Sequence, residues 1–168
     1  MPAKKAIERA KKDKREGKSA STQAGEFVRE EIDHIREGKH GARSTKQAIA
    51  IGLSEARRAG VDLPPPKKGK ASSKTVKRAK RDLAAGKKGA ARRPSAKRSR
   101  ATKQALKREG HSAASKRALS KHARKAARKR TAGQRSAAAK KAARTKGAKE
   151  RSAAARKAAR TRARNRKR

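Results

Sequence analysis

The chain has 168 residues, and its 56 lysines and arginines outnumber its 13 aspartates and glutamates so far that the formal net charge is +43. Cysteine, tryptophan and tyrosine are absent, which excludes disulfides and thiolate metal sites and leaves Phe27 as the single side chain able to stack on a base. Only fourteen residues are Leu, Ile, Val or Phe, a share far below the roughly 20% under which a highly charged chain is expected to be disordered.

Charge divides the chain sharply near residue 63. Residues 1–62 contain 15 basic and 10 acidic side chains, whereas residues 63–168 contain 41 basic and 3 acidic ones. The division coincides with Pro64, Pro65 and Pro66, and each proline removes a backbone donor and disfavours helix in the residue before it. Helical structure is therefore expected to stop at these prolines.

Residues 1–20 predict a mixed-charge helix. Lys4, Glu8, Lys12 and Glu16 alternate in sign every four residues, which brings opposite charges together on a helix, and Gly17 is expected to end it. The N-terminus is not followed by an apolar signal-peptide core, and no stretch is apolar enough to span a membrane. We therefore expect a soluble protein that is not secreted by a classical signal.

Residues 21–62 predict a helical hairpin. Apolar side chains at helical spacing indicate a helix over residues 24–37 that Gly38 ends, and a capping box of Ser44 and Gln47 opens a second helix that ends at Gly60. The connector between them, residues 38–43, is basic. About seven large apolar side chains are too few for a free-standing core, so we expect marginal stability or self-association through the hairpin.

Residues 63–119 predict a basic, disordered linker region, and residues 120–168 predict Ala/Lys/Arg-rich repeats of sixteen residues. The sequence R-S-A-A-A-K-K-A-A-R-T at 135–145 recurs as R-S-A-A-A-R-K-A-A-R-T at 151–161, and a weaker copy contains Ser120. Ser120, Ser136 and Ser152 are predicted helix N-caps, and Gly133 and Gly147 are predicted to end the first two units.

The predicted fold class is mostly α: a small helix-loop-helix hairpin followed by a long, intrinsically disordered basic tail in which helix is inducible on binding. Ala, Lys and Arg have high helix propensity, but like charges four residues apart, as at Arg124 and Arg128, oppose the free helix. Phosphates would remove this repulsion.

The basic tail predicts nucleic-acid binding, because lysine and arginine release condensed counterions when they meet phosphates. The expected function is non-sequence-specific binding and compaction of DNA, with an RNA- or ribosome-associated protein as the alternative and a hairpin that binds another protein as a third interpretation. DNA is favoured over RNA as partner, and a membrane is disfavoured because the basic stretches lack an apolar face. The nucleic-acid-binding residues that the repeat presents regularly are Arg124, Lys125, Arg128, Lys140, Lys141, Arg144, Arg156, Lys157 and Arg160.

No catalytic or metal site is predicted. The spacings of His34, His40, His111 and His122 match no zinc template, although His40 could contact phosphate. The carboxylates at Glu30, Glu31, Asp33 and Glu37 are expected to be solvated or paired with lysine and arginine. We expect no enzyme and no cofactor. Residues 92–95, Arg-Arg-Pro-Ser, are similar to a basophilic kinase site, but chance explains so short a match in so basic a chain.

Two resemblances complete the prediction. The Ser-Ala-Ala-Ala-Lys-Lys-Ala-Ala-Arg pattern of the tail resembles the Lys/Ala-rich tails of linker histones and of bacterial linker-histone-like nucleoid proteins. Residues 21–66, with S-T-Q-A-G-E-F-V-R-E-E-I and G-K-H-G-A-R-S-T-K-Q-A-I-A-I-G-L, resemble a family of small, uncharacterised, basic bacterial proteins that pair a Gln-Ala-Ile-Ala helix with such a tail. These resemblances imply a bacterial, cytoplasmic, nucleoid-associated protein.

Overall fold

The computed structural model describes residues 4–67, 69–88, 95–145 and 147–166, and these ranges contain helices but no strand. The chain divides into two units, Met1–His122 and Ala123–Arg168. A short 3-10 turn lies at Ser112–Ala114, and the α-helices are α1 (Lys4–Arg15), α2 (Ala20–Arg36), α3 (Thr45–Arg58), α4 (Ser73–Lys87), α5 (Ala96–Lys107), α6 (Lys116–Arg128), α7 (Ala132–Thr145) and α8 (Ala148–Arg166).

The prediction of a disordered tail beyond the prolines is wrong. Helices α4 to α8 occupy most of the chain beyond the three prolines, so the protein is helical on both sides of the charge division near residue 63. The helices follow from the high intrinsic propensity of Ala, Lys and Arg, and their N-termini carry side-chain caps: Ser72, Ser95 and Ser115 accept hydrogen bonds from the third residue that follows each of them. The prediction of disorder rested on the scarcity of large apolar residues and on like-charge repulsion, and local propensity and capping outweigh both in the structure.

Helix α3 begins where it was predicted and both hairpin helices end close to their predicted glycines, whereas α2 begins four residues before its predicted start at residue 24. Helix α2 is followed by Gly38 at φ +76°, and α3 by Gly60 at φ +90°. Ser44 caps α3 by accepting from the backbone N–H of Gln47, and the Gln47 side chain accepts from the backbone N–H of Arg43. The predicted capping box is thus present, shifted by one residue at its second bond.

A first core joins α1 to the hairpin, which the alternation of charge along this helix did not predict. Ala6 and Ala10 lie one turn apart on α1 and are buried against α2 and α3 together with Phe27. Alanine has almost no side-chain entropy to lose on burial and lets helix backbones come close. The remaining buried members of this core are Ala24, Ala56 and Val61, with Ile7, Ala20, Leu53, Ala59 and Leu63 packed partly against them.

A second core holds a returning segment, residues 106–114, against the connector and the start of α3. The connector N–H groups of Gly41 and Ala42 donate to the carbonyls of Leu106 and Gly110 at 2.9 and 3.1 Å. The Thr45 hydroxyl donates to the carbonyl of Ala113 at 2.7 Å. The buried residues of this core are Ile32, Ile35, Ala42, Ala48, Ala113 and Ala114, with Leu119 partly buried beside them.

Helix α4 lies against α3 through one buried carboxylate. Asp82 is 7% exposed and accepts hydrogen bonds from the Ser54 hydroxyl at 2.7 Å and from the Arg58 guanidinium at 3.0 Å. Gly86 permits this approach, because a Cβ there would collide with the carbonyl oxygen of Arg57. The hairpin is therefore flanked by α1, α4 and the returning segment of its own chain.

The repeat of the tail appears in the structure with a different register from the one predicted. Helices α6, α7 and α8 begin at residues 116, 132 and 148, one period of sixteen apart. Ser120, Ser136 and Ser152 each lie inside a helix, at its fifth residue, and the N-cap prediction is wrong. Gly133 lies inside α7 and ends no unit, whereas Gly147 directly precedes α8.

Candidate functional site

The predicted nucleic-acid-binding residues form three exposed triplets in the structure, one on each of the last three helices. Arg124, Lys125 and Arg128 lie on α6, and the equivalent positions of the repeat lie on α7 and α8. All nine side chains are exposed. The complete set is Arg124, Lys125, Arg128, Lys140, Lys141, Arg144, Arg156, Lys157 and Arg160.

Each triplet occupies one side of its helix. At about 100° per residue, Lys140, Lys141 and Arg144 span roughly 100° of arc. The alanines at 138, 139, 142 and 143 lie on the other side of α7 together with Arg135. On α8, Lys149 extends the triplet by two turns on the same side of the helix. Each triplet thus forms a cationic face of its helix, and α8 carries further arginines on its other side, at Arg151, Arg162 and Arg166.

Carboxylates that could neutralise these faces are scarce in their own unit. Residues 123–168 contain 20 lysines and arginines and one acidic residue, Glu150. The acidic residues of the N-terminal part, by contrast, are engaged locally: Glu30 pairs with Arg9, Asp13 with Lys18, and Glu37 with Lys39, each at 2.8 Å. Excess positive charge is therefore concentrated on α6 to α8.

The similarity to a kinase site lies mostly outside the described residues, which do not include Arg92, Arg93 or Pro94. Ser95 is described and is the N-cap of α5, where its hydroxyl accepts from the backbone N–H of Arg98 at 3.3 Å. This hydrogen bond gives Ser95 a structural role.

A second cluster of functional groups, which the sequence did not predict, lies between α2 and the connector. Glu31, His34 and His40 each place one potential ligand atom within 4.8 Å of the others. Glu31 and His34 are three residues apart on α2, so they share a side of the helix. His40 reaches them because the chain reverses at Gly38, and its Nε2 lies 3.5 Å from Glu31 Oε2.

The expectation that Glu31 is solvated or paired with lysine or arginine is wrong. Its side chain is 2% exposed, and its Oε1 atom has no hydrogen-bond partner among the described groups. The cause is the position of Glu31 on the side of α2 that packs on α3, where the helical pattern places Phe27 and Ile35 as well.

Burial dominates the electrostatics of this cluster. It raises the pKa of the Glu31 carboxyl to about 7, because removal from water disfavours the charged form. The nearby His40 lowers this pKa, and the charge of Glu55 raises it further. Burial also raises the pKa of Glu55, against the opposing effects of His34, Arg58 and His40. Two partly exposed histidines, the buried Glu31 and the partly buried Glu55 therefore interact at one place.

Sequence reasoning missed the cluster because it compared the histidines with zinc templates one spacing at a time. A Glu-x-x-His signal was present at residues 31–34, and this spacing places two metal-ligand types on one side of a helix. The contribution of His40 depends on how the connector folds, which is held by hydrogen bonds to residues 106 and 110, far along the chain.

No helix in the described ranges is long and apolar enough to cross a membrane. No curated protein and no solved structure gives a significant match to the chain. A family model does match its N-terminal part, which contains α1 to α3 and the cluster of Glu31, His34 and His40 but not the basic helices. Residues 2–68 match a family of unknown function, DUF6496.

Proposed function

We propose that the protein binds DNA without sequence specificity and compacts it by neutralising phosphates, as a linker-histone-like component of the bacterial nucleoid in the cytoplasm. The observation that carries the proposal is the arrangement of exposed lysines and arginines in triplets on one side of each of α6, α7 and α8. Helical presentation keeps these side chains close together, so that one helix face meets several phosphates at once.

The scarcity of carboxylates in this unit supports the proposal. With 20 basic residues and one acidic residue between positions 123 and 168, the unit attracts a polyanion strongly. Each phosphate that a lysine or arginine neutralises releases condensed counterions, and this gain does not depend on base sequence. Non-specific affinity is therefore the property that this composition supports best.

The scarcity of Phe, Tyr and Trp supports a binding mode that does not depend on stacking these rings on bases. Contacts from lysine and arginine to phosphates position a protein on a duplex but carry no sequence information. Sequence-specific recognition of single strands commonly uses aromatic stacking. Phe27, which is the only residue among Phe, Tyr and Trp, is buried in the first core. Stacking on bases thus plays no part in the proposed binding mode.

A matched pair of triple variants tests the proposal in the full-length protein. R156Q/K157Q/R160Q removes the triplet of α8, and K11Q/K14Q/R15Q removes three exposed cations from α1 with the same change in net charge. The α8 variant is expected to weaken duplex binding and to reduce the slope of log affinity against log salt by up to about 3, because each neutralised phosphate contributes about 0.9 to that slope. The α1 variant should change both quantities much less.

Fluorescence anisotropy with a short labelled duplex gives both quantities, and circular dichroism verifies that the variants retain their helix content. Equal effects of the two variants would contradict the proposal, since binding would then depend on total charge and not on the helix faces. Tighter binding of structured RNA than of duplex DNA at the same salt would favour an RNA-associated function instead.

A further inference from the structure

The buried carboxylate of Glu31 lacks the partners that such a group needs. A buried charge is normally paired or coordinated to a metal, because an unpaired one has a high desolvation cost. Neither lysine nor arginine makes an ion pair with Glu31 among the described residues, and its Oε1 atom is buried without a hydrogen-bond partner. The nearest cationic candidate is His40, at 3.5 Å from Oε2.

The protonation of His40 follows from the contact that its ring makes on the side away from Glu31. Nδ1 lies 3.2 Å from the carbonyl oxygen of Gly41. A carbonyl oxygen only accepts, so Nδ1 carries the proton, and in the neutral ring Nε2 then directs a lone pair toward the Glu31 carboxylate. Histidines that bind metals usually donate their second ring N–H to a carbonyl or carboxylate in this way.

Two facing lone pairs need a proton or a metal ion between them. The Nε2 to Oε2 distance of 3.5 Å is longer than the roughly 2.7–2.9 Å typical of a charge-assisted hydrogen bond. It is close to the separation of about 3.4 Å between two ligand atoms that each lie about 2.0–2.1 Å from a tetrahedral zinc ion. His34 brings a third ligand atom within 4.8 Å of the other two.

We infer that Glu31, His34 and His40 form a binding site for a divalent transition-metal ion, with Zn²⁺ as the best match to one carboxylate and two imidazoles. Glu30 lies beside the site, with its Oε1 3.5 Å from His34 Nε2, and is positioned to orient that ring or to complete the coordination. The site is distinct from the cationic faces of α6 to α8.

The local charge favours a cation in spite of the net charge of +43. Arg9 and Arg36 pair with Glu30 and Asp33, but Glu31 has no such partner among the described residues, and Glu55 of α3 interacts with the same histidines. Salt screens interactions between exposed charges over roughly 8 Å at physiological ionic strength. Exposed cations farther than this from the ion would therefore affect its binding little.

Metal binding at this site would tie the connector to α2. His40 is adjacent to Gly41, whose N–H donates to the carbonyl of Leu106, so the same short segment holds both the site and the returning part of the chain. An ion bound only by the folded protein shifts unfolding to higher temperature. Zn²⁺ is therefore expected to stabilise the full chain.

Titration of the metal-free, full-length protein with ZnCl₂ tests the inference by calorimetry and by thermal unfolding. We expect one ion bound per chain and a rise in Tm. H34A and H40A should each lose at least tenfold in Zn²⁺ affinity and most of the rise in Tm. H122A removes a histidine of α6 that lies outside the cluster, and it should bind Zn²⁺ as the wild type does.

The E31Q variant distinguishes a metal-binding role of Glu31 from a purely structural role. The substitution keeps the size of the side chain but removes its buried negative charge, so the metal-free variant should unfold at a temperature no lower than the wild type and yet lose at least tenfold in Zn²⁺ affinity. Failure of the wild type to bind one Zn²⁺ would overturn the inference. Equal losses of affinity in H122A and H40A, or unchanged affinity in E31Q, would overturn it as well.

Discussion

Gly52 shows how single small residues determine the packing of this protein. A Cβ at this position of α3 would lie 2.7 Å from the Cα and 2.9 Å from the N of Val28. Distances this short force the backbones of α2 and α3 apart. The hairpin thus depends on the absence of a side chain as much as on its few large apolar residues.

Gly52→Ala is therefore expected to destabilise the protein by about 1–3 kcal/mol, the usual cost of overpacking a core. Gly25→Ala is the matched control, because Gly25 lies inside α2 with open space around it. That substitution should stabilise the protein by about 0.4–1 kcal/mol through the lower entropy of the unfolded chain. Denaturant unfolding followed by circular dichroism compares the two, and a Gly52→Ala variant as stable as wild type would refute the close approach of α2 and α3.

Alanine, another small residue, explains why the extent of the core was not predictable from the sequence. Counting Leu, Ile, Val and Phe predicts almost no core, but the two observed clusters rely on alanines such as Ala6, Ala48 and Ala114. Alanine is also the commonest residue of the exposed helices α7 and α8. Its burial therefore depends on which helices meet, and the sequence alone does not specify that.

At the scale of the element, α7 begins at a capping box that the repeat pattern concealed. The Thr131 hydroxyl accepts from the backbone N–H of Gln134, and the Gln134 side chain accepts from the backbone N–H of Thr131, both at 3.2 Å. Alignment of the more conspicuous Ser-Ala-Ala-Ala motif placed the start at Ser136 instead. The repeat gave the correct period but the wrong start for each helix.

Thr131→Ala is expected to reduce the stability of α7 by about 0.5–2 kcal/mol, the usual effect of losing an N-cap. Ser136→Ala, inside the helix, should leave it unchanged or slightly more helical, since alanine has the higher propensity. Backbone chemical shifts of residues 132–145 measure both effects. A larger loss in Ser136→Ala would instead support the serine-capped register.

The start or end of a helix was predictable where the residues that determine it are close together in the sequence. The end of α2 at Gly38 and the start of α3 at Ser44 were predicted, because a left-handed glycine and a side-chain cap act within a few residues. The returning segment was not, because its contacts join Gly41 to Leu106 and Thr45 to Ala113. The positions of the cationic residues were known from the sequence, whereas their helical faces required the register of α6 to α8.

At the scale of the whole molecule, the cluster of potential metal ligands and the excess positive charge lie in different parts of the chain. The N-terminal part, which matches a family of unknown function, contains the Glu31, His34 and His40 cluster and most of the acidic residues. The C-terminal part contains the cationic faces. This separation supports two independent proposals, a metal site and a phosphate-neutralising surface, which can fail separately.

The measurement that tests the central proposal most directly is the affinity of the full chain for a duplex across a salt series, repeated with a scrambled duplex of equal length and composition. We predict a steep linear fall of log affinity with log salt, with a slope of about −0.9 per phosphate neutralised, and equal affinities for the two duplexes. Affinity that does not change with salt, or that falls strongly when the sequence is scrambled, would contradict DNA binding by phosphate neutralisation.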